Sequence, residues 1–174
     1  MSEPIISRRL RLEAATAAMI ALELTIRPAL FAYLRVAEPE DWPPPLNDDE
    51  TFRYFEDSLR ADPGLTGWAF WYVILRHEGG DALVGTAGFK GKPDADGLVD
   101  VGYAIRPHYH RMGIASETVG LLLSWATARG ARYVIAETFA DHVASIGVMR
   151  KNGLAFIGAG AEPNVVRYGR SLVA

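Results

Sequence analysis

The residues with the clearest chemical potential lie in one segment, Val101–Glu117, where a strand-like run ends at Pro107 and a helical pattern begins near Gly113. The first turn of a helix leaves several backbone N–H groups unpaired, with the positive end of the helix dipole behind them. Such an end binds phosphate or pyrophosphate readily. Gly113 carries no Cβ that would keep a phosphate from the backbone, and Arg111 adds a charge-assisted donor. The segment therefore indicates an anion site, and a plain strand-to-helix turn is the alternative.

Two common nucleotide-binding patterns are absent from the sequence. No Gly-Lys-Ser or Gly-Lys-Thr occurs, which disfavours a Walker-type ATPase. No G-x-G-x-x-G follows a strand-like run, which weakens a dinucleotide-binding interpretation. An anion held by the segment is therefore expected to belong to another class of ligand.

The composition is ordinary for a globular enzyme. The 174 residues, 49% hydrophobic and 22% charged, predict one domain over residues 1–174. A net charge of −3 disfavours nucleic-acid binding, which needs a surplus of Lys and Arg. The chain has no cysteine, and its four histidines lack metal-ligand spacing, so we expect neither a disulfide nor a metal.

The sequence also predicts where the protein works. The N-terminal residues lack the apolar core of a signal peptide. The longest uncharged runs, Leu65–Leu75 and Thr118–Ala128, are about half the length that a membrane span needs. We therefore expect no membrane association and a cytoplasmic location.

Hydrophobic periodicity predicts the elements of the N-terminal third. Ile5–Glu13 alternates between apolar and polar residues and predicts a strand. Ala14–Ala37, broken near Pro28, predicts two short helices. Asn47 is the predicted N-cap of a third helix, and Glu50 completes its capping box.

The middle of the chain is rich in strands. A proline-rich loop, Pro39–Pro45, precedes predicted strands at Trp68–Arg76, Ala82–Phe89 and Leu98–Ile105. Four clustered aromatic residues are predicted to be core rather than a ligand cage: Trp68, Phe70, Trp71 and Tyr72. Trp42 on the loop is expected to pack onto the sheet, with lining of an acceptor pocket as the alternative.

Helices and strands alternate in the second half. The pattern predicts helices at Gly113–Arg129 and His142–Asn152, and strands at Tyr133–Phe139, Leu154–Gly158 and Val165–Leu172. An antiparallel first half joined to a β-α-β-α second half predicts a mixed α/β (α+β) fold. Its central sheet is mixed, mostly antiparallel and flanked by helices.

Several segments resemble the GNAT N-acetyltransferase superfamily. Gly102–Pro107 followed by His110–Ala115 is similar to the acetyl-CoA motif of that family, Gln/Arg-x-x-Gly-x-Gly/Ala. The resemblance covers nearly the whole chain and is strongest to the ribosomal-protein N-terminal (Rim-like) acetyltransferases. Three further segments carry it, namely Arg8–Leu12, Leu83–Gly85 and Glu137–Leu154.

The resemblance implies that acetyl-CoA is the co-substrate and indicates where it binds. Backbone groups of Tyr103, Ala104 and Ile105 would pair with the pantetheine arm like an added strand. The pyrophosphate would lie on the family motif, which here comprises His110, Arg111, Met112, Gly113, Ile114, Ala115 and Ser116. The thioester would lie where the strands Leu98–Ile105 and Tyr133–Phe139 splay apart.

Three positions depart from the family pattern. His110 replaces Gln or Arg at the start of the motif. His142 stands where relatives often carry Asn, three residues before Ser145, and is either a CoA contact or a helix cap beside Asp141. Met149 occupies the position at which many relatives place a general-acid Tyr.

Attack of an amine on a thioester needs no protein nucleophile, but it needs positioning, a base and an oxyanion donor. An N–H near Ile105 is the predicted oxyanion donor. Asp100 matches a Glu common in the Rim-like branch and is a candidate base acting through water. Ser145 matches the serine of the family and is a candidate acid for the thiolate. Glu137 and Glu162 are further candidates, and ordinary ion pairs or hydrogen bonds are the alternative roles.

The resemblance implies an amine acceptor but leaves its identity open. Protein N-termini, free amino acids, polyamines and aminoglycoside-like amines are all candidates, and a homodimer is left open. The alternative function is a catalytically weak GNAT-fold protein that binds acyl-CoA as a sensor, because the usual Asn and Tyr positions are replaced. Turnover of any amine separates the two functions.

Overall fold

The computed structural model describes residues 3–173, which contain eight strands and five α-helices. The strands are β1 (Ile5–Ile6), β2 (Leu10–Ala14), β3 (Phe70–Leu75), β4 (Ala82–Phe89), β5 (Leu98–Ile105), β6 (Tyr133–Phe139), β7 (Ala155–Ala159) and β8 (Val165–Ser171). The α-helices are α1 (Ala17–Thr25), α2 (Arg27–Leu34), α3 (Asp49–Ala61), α4 (Ile114–Thr127) and α5 (Val143–Lys151).

One sheet contains the eight strands, in the order β1-β2-β3-β4-β5-β6-β8-β7. Adjacent strands are antiparallel except β5 and β6, which run parallel and are joined through α4. A parallel pair needs such a crossover connection, usually a helix. The structure therefore confirms the predicted mixed, mostly antiparallel sheet flanked by helices.

The part of the sheet around β3 is buried on both faces. Along β3, Trp71 and Val73 pack into a core with α4, whereas Phe70 and Tyr72 pack into a second core with α1, α2 and α3. Alternate residues of a strand point to opposite faces, so a strand covered on both sides needs a continuous apolar run. The prediction that the aromatic cluster around Trp68 is core is confirmed.

The first predicted strand is wrong as one continuous element. It is a hairpin, in which β1 and β2 pair antiparallel across a turn at Ser7. The N–H of Ser7 donates to the carbonyl of Leu10 at 2.8 Å, and the Ser7 hydroxyl accepts the N–H groups of Arg9 and Leu10. A serine side chain that bonds nearby backbone competes with a continuing ladder, and alternation alone does not reveal such a turn.

The predicted cap of the third helix is also shifted by one residue. Asp48, not Asn47, caps α3, because its carboxylate accepts the N–H of Thr51 at 2.8 Å. Asn47 instead accepts a hydrogen bond from the hydroxyl of Thr86 in β4. Both residues are good helix caps, and the contact with β4 is a tertiary one that local sequence does not indicate.

The proline-rich loop packs onto the sheet, as expected for Trp42. Its indole lies 6.4 Å from the Phe31 ring and 6.3 Å from the Tyr72 ring, between centroids. The indole N–H donates to the buried carboxylate of Glu23 at 2.8 Å. Asp41 of the same loop pairs with the buried guanidinium of Arg106. The loop is thus fixed both to α1 and to the end of β5.

The remaining predicted elements are confirmed, and their ends differ by up to three residues. The bounds of β4, β5 and β6 agree with the predicted strands. Among residues 3–173, no helix combines the length and the apolar character needed to cross a membrane.

Two glycines opposite each other in β4 and β5 provide a stability test. A Cβ on Gly88 would overlap the carbonyl oxygen of Ala69, whereas a Cβ on Gly102 would have no heavy atom within 4 Å. Gly88→Ala is expected to lower Tm by about 3–10 °C, since overpacking costs roughly 1–3 kcal/mol and each kcal/mol shifts Tm by about 2–4 °C at this size. Gly102→Ala, the control, should melt within about 2 °C of wild type. Equal thermal shifts for the two variants would contradict this packing.

Candidate active site

The parallel pair β5–β6 separates soon after it begins. Its three paired positions run from Leu98 opposite Tyr133 to Asp100 opposite Ile135. Beyond them β5 continues to Ile105 along β4, and β6 continues along β8. A gap therefore opens between the two strands, as the resemblance implied.

Main-chain groups of β5 line this gap. The carbonyl of Asp100 and the N–H of Arg106 both bond on the β4 side, each at 2.9 Å. Because successive residues of a strand direct these groups to opposite edges, Tyr103 and Ile105 direct theirs into the gap. Ala104 faces β4.

Of the three backbone positions expected to pair with the pantetheine arm, two face the gap. Ala104 is paired opposite Thr86 within the sheet, so its N–H and C=O are not available on that side. The carbonyl of Ile105 bonds to Nε2 of His110 at 2.7 Å. The free groups are therefore both main-chain groups of Tyr103 and the N–H of Ile105. The His110 ring closes the turn after β5.

The helix that follows begins without a side-chain cap. Arg111 (φ 62°) and Gly113 (φ 76°) are both left-handed, which reverses the chain into α4. The first helical bond runs from the N–H of Glu117 to the carbonyl of Gly113 at 3.1 Å. Within the described chain, the N–H groups of residues 114–116 have no hydrogen-bond partner. These three N–H groups and the exposed Arg111 form the predicted anion site.

Asp100 has an environment suited to a proton acceptor. It shares with Gly102 and Ala104 the face of β5 opposite α4, and space above Gly102 is open. One carboxylate oxygen accepts from Nζ of Lys90 at 2.7 Å, and the other is buried without a partner in residues 3–173. Burial raises the pKa of Asp100, and the Lys90 ammonium opposes that rise.

The other two acidic candidates are placed differently. Glu137 forms an ion pair with Arg167, its cross-strand neighbour in β8, at 2.6 Å. The Arg167 hydrogen bond holds the pKa of Glu137 below its usual value, which disfavours a role as base. Glu162 is exposed in the β7–β8 turn, and no side-chain hydrogen bond or ion pair of its carboxylate is seen within residues 3–173.

Ser145 meets a tyrosine from the opposite side of the gap. The hydroxyl of Tyr103 lies 2.9 Å from Oγ of Ser145 and 3.1 Å from its carbonyl oxygen. Burial raises the pKa of Tyr103, so its phenol stays protonated near neutral pH. Met149, at the position of the usual tyrosine, is buried in the core with 2% of its surface exposed. The contact of the Tyr103 side chain with Ser145 was not predicted from the sequence, because only the fold places this strand residue against α5.

His142 is the N-cap residue of α5 by position, but its side chain does not cap the helix, because no side-chain cap hydrogen bond is formed there. Its Nδ1 lies 3.2 Å from the hydroxyl of Thr138 at the end of β6. The ring is exposed and open to a ligand at the rim of the gap. Across residues 3–173, no three His, Asp or Glu side chains converge as metal ligands would.

Three further residues support the site and were not predicted from the sequence. Lys90 holds Asp100, as described above. Asn152 donates to the carbonyl of Ser116 at 3.1 Å and so ties the end of α5 to the start of α4. Arg9 pairs with Glu117 in the first turn of α4 at 2.7 Å. These contacts join residues 10 to more than 100 positions apart, beyond the reach of local pattern.

Comparison with known proteins establishes the family of this chain. Residues 9–155 match the sequence model of a family described as the acetyltransferase (GNAT) domain. The chain belongs to the GNAT acetyltransferase family. It is therefore an acyltransferase by class.

A Bacillus subtilis (strain 168) protein is a relative of this GNAT acetyltransferase. It is described as the uncharacterized N-acetyltransferase YjdG, and it is 31% identical over 91 residues. That match covers 51% of this chain and 51% of the relative. The chain thus spans about half the length of the curated relative that it matches.

Solved structures share the fold over nearly the full chain. The RimL ribosomal L7/L12 alpha-N-protein acetyltransferase in complex with coenzyme A has a TM-score of 0.68 at 21% identity and covers 97% of this chain and 98% of its own. The ribosomal-protein-S5-alanine acetyltransferase from Vibrio fischeri has a TM-score of 0.70 at 13% identity, with coverages of 98% and 97%. At these identities the likeness establishes the GNAT fold.

The environment of Asp100 predicts a measurable pKa change. Lys90→Met removes the cation that lowers the pKa of Asp100, so that pKa should rise further above its ordinary value. Carboxyl-carbon NMR titration of wild type and variant measures it directly. Lys92→Met is the matched control, because Lys92 pairs with Asp62 instead. A fall in the Asp100 pKa in Lys90→Met, or an equal rise in both variants, would contradict this assignment.

Proposed function

We propose that this GNAT enzyme transfers an acetyl group from acetyl-CoA to a primary amine by direct attack of the amine on the thioester. One observation carries the proposal. The unpaired main-chain groups of Tyr103 and the unpaired N–H of Ile105 in the β5–β6 gap lead directly into the unpaired N–H groups at residues 114–116. A ligand with amides at one end and a pyrophosphate at the other matches both halves of this surface.

Acetyl-CoA has that chemistry. Its pantetheine amides would pair with the N–H of Ile105 and the carbonyl of Tyr103 on the free edge of β5. Its pyrophosphate would lie on Arg111 and the start of α4, with His142 as a further contact. Two solved proteins of the same fold support this choice by their ligands. The RimL structure contains coenzyme A, and the microcin C7 immunity acetyltransferase MccE was solved with acetyl-CoA and AMP.

The two proton transfers would occur on opposite faces of β5. The amine would lose its proton on one face, and the CoA thiolate would gain a proton on the other. The amine approaches on the face of Asp100 and Gly102, where water would pass the ammonium proton to the Asp100 carboxylate. The amine nitrogen then bonds to the thioester carbon and gives its second proton to water. The β5 N–H nearest the splay, that of Tyr103, two residues before Ile105, stabilises the oxyanion.

Collapse of the intermediate breaks the carbon–sulfur bond. The CoA thiolate takes a proton from the Ser145 hydroxyl on the opposite face, and the Tyr103 phenol resupplies that proton through the 2.9 Å contact. Tyr103 in turn recovers a proton from solvent. This pair replaces the helix tyrosine of relatives, whose position Met149 occupies here.

The acceptor proposed is the N-terminus of a protein. The shared fold with ribosomal-protein acetyltransferases supports this class over free amino acids, polyamines and aminoglycoside-like amines. One sheet runs through both halves of the sequence, so the proposal treats residues 1–174 as one acetyltransferase domain.

A second candidate, an acyl-CoA sensor without turnover, is favoured by one observation. Met149 is buried where relatives carry the acid, and His142 replaces the usual Asn. The Tyr103–Ser145 pair supplies an alternative acid, so the enzyme is the better-supported function.

Thermal unfolding with acetyl-CoA tests the cofactor site. At one hundred times its Kd, the ligand should stabilise wild type by about 2.7 kcal/mol, or roughly 5–10 °C in Tm. Gly113→Glu places a bulky anion at the start of α4 and should lose this shift. Gly130→Glu is the matched control, because Gly130 is also left-handed but lies just after α4 ends, and it should keep the shift.

Two results would count against the proposal. If acetyl-CoA, CoA and longer acyl-CoAs all leave the Tm of wild type unchanged, the assignment of acetyl-CoA as co-substrate is wrong. A shift without turnover of N-terminal peptides, amino acids, polyamines or aminoglycosides would favour the sensor. Transfer to peptides alone, detected by mass spectrometry, is the expected result.

Asp100→Asn tests the proposed base. It should lower kcat by about 10²–10⁴-fold, the usual contribution of a general base, and leave the KM for acetyl-CoA nearly unchanged. Wild-type activity should fall with decreasing pH as Asp100 protonates, at a pH above the ordinary range of an Asp because its pKa is raised. Glu162→Gln removes the same charge and should retain wild-type kcat. An Asp100→Asn enzyme with wild-type kcat would exclude Asp100 as base.

A further inference from the structure

An acid occupies the helix end at which the phosphates of acetyl-CoA are proposed to bind. Glu117 lies in the first turn of α4, and its N–H makes the first helical bond, to Gly113. A carboxylate there stabilises the helix through the dipole, as is usual for a first turn. The same negative charge opposes a phosphate at that helix end. Phosphate binding at this helix end therefore needs a positive charge that offsets the repulsion from Glu117.

Arg9 meets this need from the other end of the sequence. Its Nε and Nη2 donate to one carboxylate oxygen of Glu117 at 2.8 and 2.7 Å, and the Ser7 hydroxyl donates to the other at 2.6 Å. Its Nη1 also donates to the carbonyl of Met112 at 3.1 Å. A Cβ built on Gly113 would lie 3.5 Å from its Nη2. The Arg9 guanidinium thus bonds both to the Glu117 carboxylate and to the turn at Met112.

We propose that Arg9 is a positioning residue of the acetyl-CoA site, which neutralises Glu117 and fixes the turn at Met112 so that the start of α4 accepts phosphate. The inference rests on the proposed function and deepens it. Arg111 keeps the separate role of phosphate contact. Arg9 is assigned no phosphate contact of its own, because three of its five N–H groups are already engaged by Glu117 and Met112.

This account makes Arg9 dispensable once Glu117 carries no charge. Arg9→Met leaves a bare carboxylate beside the phosphates, whereas the double variant Arg9→Met/Glu117→Gln removes both charges together. A ligand role for Arg9 makes the opposite prediction, because its loss would weaken binding whatever stands at position 117.

Calorimetric titration of CoA into four forms tests the proposal: wild type, Arg9→Met, Glu117→Gln and the double variant. Arg9→Met should bind CoA about tenfold more weakly, the order expected for one uncompensated charge roughly 10 Å from a phosphate. Glu117→Gln should bind at least as tightly as wild type, and the double variant within about twofold of it. Raising the salt to about 0.5 M should reduce the Arg9→Met loss, because exposed charges are then screened.

Arg8→Met is the matched control. It removes the same charge one residue away, from a side chain that forms no hydrogen bond or ion pair with Glu117 within residues 3–173 and acts on it only by longer-range attraction. It should change the Kd by less than about twofold. A double variant as weak as Arg9→Met, or an Arg9→Met form with wild-type affinity, overturns the proposal while the proposed function stands. A wild type that binds no CoA overturns the proposed function and this inference with it. Melting curves of all forms confirm that each is folded.

Discussion

The requirement that main-chain polar groups find partners governs this structure. β5 is paired with β4 over Val101–Ile105 but with β6 only over Leu98–Asp100. The unpaired edge that remains at Tyr103 and Ile105 continues, after one turn, into the uncapped start of α4. Groups of this kind cost free energy when they are buried without a partner, so they must face water or a ligand. The parallel β5–α4–β6 unit thus creates a continuous row of donors that the antiparallel part of the sheet does not have.

Electrostatic environment separates carboxylates that look alike in the sequence. Asp100 and Glu137 lie near each other on the same face, yet burial raises the pKa of Asp100, whereas Arg167 lowers that of Glu137. Glu137, which is ion-paired with the Arg167 guanidinium, stabilises the β6–β8 pairing. Asp100, which pairs only with Lys90, has the raised pKa that suits a general base.

Local pattern predicted most of the elements, because long apolar strands and a glycine-ended helix have strong signals. The strands β4, β5 and β6 were predicted to the residue. The hairpin at Ser7 and the cap at Asp48 were missed, because serine and neighbouring acids serve several local structures equally well. The site was only half predictable. The motif predicted an anion site at the start of α4, but the face of Tyr103 and the partner of Glu117 depend on contacts about 40 and 110 residues apart along the chain.

Residue-resolved amide hydrogen exchange, followed by NMR with and without saturating acetyl-CoA, tests the central claim most directly. The account predicts that the N–H groups of Tyr103 and Ile105 gain protection when the ligand is added, together with those of residues 114–116. The N–H of Ala104, already paired with β4, should change little beyond the general stabilisation of the fold. Unchanged exchange at Tyr103 and Ile105 under saturating ligand would contradict the assignment of the β5–β6 gap as the acetyl-CoA site.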